Sequence, residues 1–145
     1  MFKSTKEQDS YKNTQTHYYL TQGDSCSIVA TPHKNGVDVT NNVSMCLFKL
    51  GTLSNKQVDL AELDSKGEVI KDDKGNPQYI FPITMEKNTS GSGFVLNLSS
   101  EITSRLTAGS YNYEIEYTMT DGSVQTPNAW KFDIVPEIQS LPIKK

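Results

Sequence analysis

The sequence predicts an all-β protein: an immunoglobulin-like Greek-key β-sandwich with an extended N-terminal arm and a short C-terminal tail. Three observations predict this fold. Apolar and polar residues alternate in several short runs, most clearly over residues 111–119, which is the period of a half-buried strand. Asn-Gly and Asp-Gly pairs separate such runs and mark hairpin turns. One short helix-like run, residues 99–109, lies where many Greek-key sandwiches cross between their sheets.

The chain divides into an arm over residues 1–18, a sandwich domain over 19–135 and a tail over 136–145. The arm is polar and has neither the helical nor the strand period, so we expect it to become ordered only against a partner. Pro136 and Pro142 keep the tail extended, and the tail is too apolar for a simple linker. We therefore predict that both ends contact partners. The predicted contact residues are Phe2, Tyr11, Tyr18, Ile138, Leu141 and Ile143.

The first core strands contain the two cysteines. Cys26 shares a strand face with Ile28, and Cys46 shares one with Phe48, so both thiols are predicted to point into the core. In a reducing compartment they stay free and behave as small apolar side chains. A disulfide is possible only if their two strands are neighbours. No pair of histidines or further cysteines accompanies them, so a metal site is not expected.

Residues 51–78 are the most polar stretch and contain two acidic turns, at 64–67 and 72–76. The second turn fails the pattern of a calcium-binding EF-hand loop, because Lys74 occupies a ligand position and no Glu closes the loop. Asp and Gly are ordinary turn formers, so we predict solvent-facing turns. The stretch is predicted to be a decorated insertion or a pair of short strands, at residues 66–72 and 77–85.

The segment from 94 to 111 predicts the crossing between the two sheets. Residues 94–98 alternate like a strand, and the following turn of helix can be capped by Ser99 or Ser100. Tyr111 then stands where a tyrosine-corner hydroxyl could bond back to the crossing.

The hairpin over residues 108–135 raises the question whether it carries chemistry or forms scaffold. Tyr113 and Ile115 belong to the apolar face of its first strand and are predicted to be buried. Trp130 shares a face with Phe132 in its second strand and is predicted to lie in the core, with an interface role as the alternative.

Catalytic patterns are sparse. His17 and His33 lie in no metal-binding or catalytic motif, and no nucleophile elbow, phosphate loop or dinucleotide-binding motif occurs. Glu114 and Glu116 lie on one strand face about 7 Å apart, a spacing that suits the carboxylate pair of a glycosidase. A solvated outer face explains them more simply. We predict no enzymatic activity, no cofactor and no metal.

Charge and hydropathy exclude further classes of protein. The net charge is −3 and the basic residues are scattered, so no basic stripe indicates nucleic-acid binding. The first thirteen residues lack the apolar run of a signal peptide, and no apolar stretch approaches the roughly 20 residues that span a membrane. These observations favour a protein made and kept in a cytosol.

Several short motifs follow one another along residues 19–135. They are QGD at 22–24, KNG at 34–36 before a Val-rich strand, LFKL at 47–50, and LTAGSYNYEIEYTMTDG at 106–122 before a closing strand with TP at 126–127. In this order they resemble the N-terminal domain of upper baseplate proteins of tailed bacteriophages and related immunoglobulin-like phage structural domains.

The resemblance implies a non-enzymatic structural protein of a phage virion, made in the host cytoplasm. It would dock through its termini and edge strands onto other phage structural proteins, in a baseplate, connector or capsid-decoration role, and copies of itself are further partners. The alternative function is a carbohydrate-binding module, which needs exposed aromatic side chains on one face.

Overall fold

The computed structural model describes residues 11–12 and 16–138, with the backbone alone at Tyr11, Lys12 and Asn128. The strands are β1 (Tyr11–Lys12), β2 (Tyr18–Thr21), β3 (Cys26–Ala30), β4 (His33–Lys34), β5 (Val37–Asp38), β6 (Val43–Gly51), β7 (Ile83–Thr84), β8 (Glu86–Lys87), β9 (Phe94–Leu98), β10 (Gly109–Met119) and β11 (Val124–Val135). A 3₁₀ turn covers Thr40–Asn42, and the helix α1 covers Ser100–Arg105.

The larger sheet has five strands in the order β2-β11-β10-β6-β7. Strand β10 pairs antiparallel with both β6 and β11, whereas β2 runs parallel to β11. Successive side chains of β10 alternate between the two faces, so Tyr113, Ile115 and Tyr117 are buried as predicted while Glu114 is exposed. The predicted burial of this face of the hairpin is therefore confirmed.

The second sheet has the order β3-β9-β8 and packs against the inner face of the first. Ile28 and Leu98 from this sheet join Phe48 and Tyr113 from the other in one core cluster. This strand order, with β2 parallel to the last strand, is that of an immunoglobulin-like sandwich. The predicted all-β sandwich is confirmed.

The crossing from β9 to β10 follows the prediction in detail. The side chain of Ser99 accepts a hydrogen bond from the Ile102 N–H and caps α1. The Tyr111 hydroxyl donates to the Thr107 carbonyl, which is the predicted tyrosine corner. Both bonds fix the path of the chain between the sheets.

Both cysteines are free. Cys46 is buried, and its thiol lies 3.6 Å from the Met85 sulfur, whereas Cys26 is half-buried. The two residues belong to different sheets, in β3 and β6, which excludes the disulfide that neighbouring strands would have allowed.

Residues 60–80 form what we call the three-leaf insertion. A ring of three backbone hydrogen bonds of 2.7 to 2.9 Å closes it: Ile70 N–H donates to Glu62, Gln78 N–H to Ile70, and Glu62 N–H to Gln78. Around the ring lie three isolated antiparallel bridges, Ala61–Tyr79, Leu63–Val69 and Lys71–Pro77. Two leaves end in turns, at residues 64–68 and 72–76.

Of the two predicted forms of this stretch, the decorated insertion is confirmed and the pair of short strands does not form. Each of the three backbone segments in the ring forms hydrogen bonds with both of the others. No pair of segments therefore forms a ladder longer than one bridge. Both acidic turns face solvent as predicted.

The prediction that Trp130 lies in the core is wrong, since its side chain is 43% exposed. Trp130 does stand opposite the buried Tyr113 and shares its face. However, β2 pairs with β11 only over Phe132–Val135, so Trp130 lies beyond the end of that ladder. The Lys131 ammonium lies 5.8 Å from the centre of its ring.

Candidate interaction edge of the sandwich

The two glutamates considered for catalysis have different surroundings. Glu116 forms an ion pair with Lys49, whereas Glu114 is exposed. Glu114 borders a cleft of about 130 Å³ on the outer face of the larger sheet, and Glu116 does not. The cleft is lined by Lys49, Leu50, Gly51, Asn55, Gln57, Asn112 and Glu114. The two carboxylates therefore do not face one shared cleft, as a glycosidase pair would.

The histidines also have local partners. The Nε2 atom of His17 lies 2.5 Å from the Oδ2 atom of Asp133. Hydrogen bonds from Ser110 and then from His17 lower the pKa of Asp133. Because both residues bond to the carboxylate between them, His17 is not placed to activate Ser110 as a nucleophile. His33 bonds through Nδ1 to the Thr31 carbonyl in its own turn.

Residues 11–12 and 16–138 contain no group of three His, Cys, Asp or Glu side chains close enough to hold a metal ion. Within the same ranges, no helix has the length and apolar character needed to cross a membrane.

Apart from the small sheet β1-β4-β5, the described strands form two sheets with four edges, which differ in their protection. Strands β7 and β8 have two residues each; β7 directly follows Pro82, and β8 consists of Glu86 and Lys87. Short length, proline and charge are the features with which sheet edges avoid pairing with other chains. Strands β2 and β3, with the sequences YYLT and CSIVA, are longer and contain neither charge nor proline. We call β2 and β3 together the open side.

Hydrogen bonding fixes which backbone groups of β2 face outward. Gln22 N–H donates to the Val135 carbonyl, and in a parallel pair every second residue bonds to the same neighbour. Residues 18, 20 and 22 therefore point towards β11, and Tyr19 and Thr21 point away from it. The Thr21 carbonyl accepts from Asp24 N–H within the turn. Among the described residues, the outward groups left are the N–H of Tyr19, the carbonyl of Tyr19 and the N–H of Thr21.

The Tyr19 side chain is the most exposed aromatic group on the open side, at 68% of its surface. Its ring stacks on the His17 ring with 4.0 Å between centroids, and His17 is held by Asp133. Tyr19 is thus a large exposed side chain whose orientation is already supported, a property of residues that anchor protein interfaces.

A groove of about 460 Å³ runs between β2 and β3. It is lined by Tyr19, Leu20, Thr21, Asp24, Ser25, Cys26, Ser27 and Val135. The Tyr18 hydroxyl hydrogen-bonds to the Val29 backbone and so links the two strands below the groove. Burial is the largest cause of the raised pKa of Tyr18. Burial also raises the pKa of the Cys26 thiol, which lies in the wall of the groove.

The predicted contact residues have different locations. Three of them lie outside the described residues: Phe2, Leu141 and Ile143. Tyr11 lies in β1, opposite Lys34. Tyr18 is half-buried, with its ring against Tyr113 and Phe132, whereas Ile138 is 93% exposed. Tyr19 was not among the predicted contact residues; it follows Tyr18 in β2 and therefore points to the opposite face.

Comparisons with known proteins give little. No family model matches the chain, and no curated protein matches it. Among solved structures the chain is similar to the crystal structure of CopC from Methylosinus trichosporium OB3b, with 11% sequence identity and a TM-score of 0.41. The similarity covers 92% of this chain and 99% of that chain. A likeness at this level carries no functional argument.

These comparisons correct the predicted function. No family model and no curated protein supports a virion role, and the solved structure named above is not a phage structural protein. The prediction of a structural protein of a phage virion is therefore wrong, and neither it nor its carbohydrate-binding alternative is carried forward. The resemblance to baseplate domains stays a prediction.

Proposed function

We propose that this sandwich is a protein-binding module without enzymatic activity, and that it takes up an extended segment of a partner protein as an additional strand along β2. The observation that carries the proposal is the contrast between the edges. The edge strands β7 and β8 are two residues long and charged or next to proline, whereas β2 is longer and has outward backbone groups and an exposed tyrosine. Such an edge provides main-chain hydrogen bonds for strand addition.

The side chains around β2 favour a segment with basic residues. Asp24 lies in the groove, Asp133 pairs opposite Tyr19, and Glu137 lies beside Gly23. Two basic side chains lie near this edge: His17, which precedes β2 and is engaged by Asp133, and Lys131 in the neighbouring strand β11. An apolar segment flanked by Lys or Arg would meet opposite charges at this edge, which increases its association rate and specificity.

The absence of enzymatic activity is part of the proposal. The side chains that could act as acid or base serve other contacts, since Glu116 pairs with Lys49 and His17 with Asp133. The partner is a polypeptide rather than a nucleic acid, because the net charge of −3 disfavours binding to phosphate.

Random ten-residue peptides displayed on a library and selected on the full chain test the proposal. We expect the selected peptides to slow amide exchange at Tyr19 and Thr21. Thr21→Pro removes an outward N–H without touching the bonds to β11, because edge strands tolerate proline at such positions. Tyr19→Lys adds a charge to the edge. Each change should weaken peptide binding by at least about tenfold, a loss of about 1.4 kcal/mol.

Thr84→Lys is the matched control, since it places the same charge on the exposed edge strand β7. It should leave binding unchanged. Peptides that bind Tyr19→Lys and Thr21→Pro as tightly as the unaltered chain would overturn the proposal, as would protection from exchange confined to another part of the sandwich.

A further inference from the structure

The three-leaf insertion presents one apolar face. Residues 61 and 63 share a face because side chains alternate along an extended chain, and so do 69 and 71, and 77 and 79. Bridge partners lie side by side on the same face, which joins the three pairs around the ring. The six residues on this face are Ala61, Leu63, Val69, Lys71, Pro77 and Tyr79. We call them the leaf face.

The leaf face is exposed rather than used to build the domain. Val69 and Tyr79 have 42% and 46% of their surfaces accessible, and Pro77 is also exposed. Neither Leu63, Val69 nor Tyr79 belongs to the core cluster or to the side chains packed against it. Three exposed and two half-buried apolar residues around one exposed lysine form the kind of contiguous patch that marks an interaction site.

The insertion is negatively charged, so a positively charged occupant would complement it. Residues 60–80 contain five acidic and three basic side chains, a net charge of −2. Six face residues are also far fewer than the 20–30 residues per side, or roughly 800 Å² per partner, of a stable interface between folded domains. The face therefore suits a short extended segment with apolar side chains and an excess of positive charge.

We propose that the occupant is the segment 139–145, QSLPIKK, of a second copy of this chain. The segment has no acidic residue and ends in two lysines, a side-chain charge of +2. Leu141 and Ile143 are two residues apart, so in an extended chain they project to the same side and match an apolar face. Pro142 between them favours the extended conformation.

The path of the chain favours a second copy over the same molecule. After β11 the backbone passes Gly23, where the Glu137 carboxylate lies, so it leaves towards β2. The insertion is attached between β6 and β7, at the opposite side of the sheet. Three strand spacings of about 4.8 Å separate β2 from β6, so the chain leaves β11 on the side of the sheet away from its own leaf face.

The contact is of the head-to-tail kind, because one copy contributes the leaf face and the next contributes residues 139–145. Contacts of this kind close into rings or continue as open chains. The inference concerns a surface distinct from β2 and does not depend on strand addition there.

Sedimentation of the full chain from about 5 µM to 1 mM tests the proposal, a range that spans weak to moderate affinities. The average mass of the unaltered chain should increase with concentration. Val69→Asp disrupts the leaf face and Ile143→Asp disrupts the binding segment, so each variant alone should remain monomeric. An equimolar mixture of these two variants should stop at a heterodimer, because the first supplies the segment and the second supplies the face. Val124→Asp changes another exposed valine, outside the leaf face, and should assemble like the unaltered chain.

Several outcomes would overturn the proposal: a monomer at every concentration, a mixture that stays monomeric, or assembly that survives Val69→Asp. Loss of assembly in Tyr19→Lys alone would also overturn it and would assign self-association to β2. If Val69→Asp fails to fold, Val69→Ser replaces it. In addition, a peptide of residues 136–145 added to the full chain should shift the nuclear resonances of Leu63, Val69 and Tyr79, and shifts confined to other residues would contradict the assignment.

Discussion

The hydroxyl group of Tyr113 donates a hydrogen bond to the backbone carbonyl of Thr16, 2.7 Å away and 97 positions earlier in the chain. The Tyr113 ring is 1% exposed and stacks on Phe48, so this bond ties the segment before β2 to the centre of the core. Burial, and secondarily the neighbouring Tyr18, raise the pKa of Tyr113 to about 12. The hydroxyl therefore keeps its proton and remains a donor at neutral pH.

Tyr113→Phe should reduce the free energy of unfolding by about 1 kcal/mol, because it removes this hydrogen bond and keeps the ring. Tyr113→Ala should cost about 3–5 kcal/mol, since it also leaves a cavity. The neighbouring Glu114→Ala, on the exposed face, should cost under about 0.5 kcal/mol. Equilibrium unfolding in urea measures all three, and a costlier change at Glu114 than at Tyr113 would contradict the register of β10.

The two thiols should react slowly in the folded protein. Burial raises the pKa of Cys46 to about 12 and also raises the pKa of Cys26. At pH 8 the thiolate fraction of Cys46 is then about 10⁻⁴, so its reaction with a disulfide reagent should be at least about 1000-fold slower than that of a free thiol. Cys26→Ala and Cys46→Ala assign the two phases. Rapid reaction of Cys46 in the native state would contradict its burial, and two equally rapid thiols are expected after unfolding.

Local sequence patterns were sufficient to predict most of the sandwich. Alternation identified the buried face of β10, and the capping serine and the tyrosine corner located the crossing, because each depends on residues fewer than about ten positions apart. Trp130 shows the limit of such patterns. Alternation gave its face correctly, but its exposure depends on where the ladder between β2 and β11 ends, which is a long-range property.

The candidate sites depended on long-range pairing even more strongly. Alternation separated Tyr18 from Tyr19, yet only the strand order shows that β2 is an edge and that Tyr19 points outward. The ring that closes the three-leaf insertion joins Glu62, Ile70 and Gln78 at intervals of eight residues. No helical or strand period produces that interval, so the sequence predicted the turns but not the leaf face.

The Asp38 carboxylate should stabilise the fold above about pH 4 and lose this effect in acid. It accepts hydrogen bonds from the Ser92 hydroxyl at 2.5 Å and from the Thr40 hydroxyl and N–H at 2.5 and 2.8 Å. These bonds, that of Ser92 first, lower the pKa of Asp38 to about 2. Because the folded pKa lies below the unfolded value of about 3.9, the stabilisation is complete above that value and disappears as the pH falls towards 2.

Melting temperatures of the unaltered chain and of Asp38→Asn measure this effect between about pH 2 and 7. The unaltered chain should be the more stable at neutral pH, and the difference should shrink between about pH 4 and 2. Other carboxylates with lowered pKa values, such as Asp133, act in the same range, and taking the difference between the two proteins removes their contribution. A difference that stays constant down to pH 2 would show that Asp38 does not carry it.

The turns of the three-leaf insertion should open locally when their aspartate is removed. The Oδ1 atom of Asp72 accepts hydrogen bonds from the N–H groups of Lys74 and Asn76, both at 2.9 Å, whereas Asp73 has no hydrogen bond to another described residue. Asp72→Ala should therefore speed amide exchange at residues 74–76, and Asp73→Ala, the matched control, should not. Both should change the global free energy of unfolding by under about 0.5 kcal/mol, because the turn at residues 72–76 is exposed and such segments open locally without unfolding the core. Equal exchange in the two variants would show that the side chain of Asp72 does not hold the turn, and a large global loss would show that the insertion is coupled to the core.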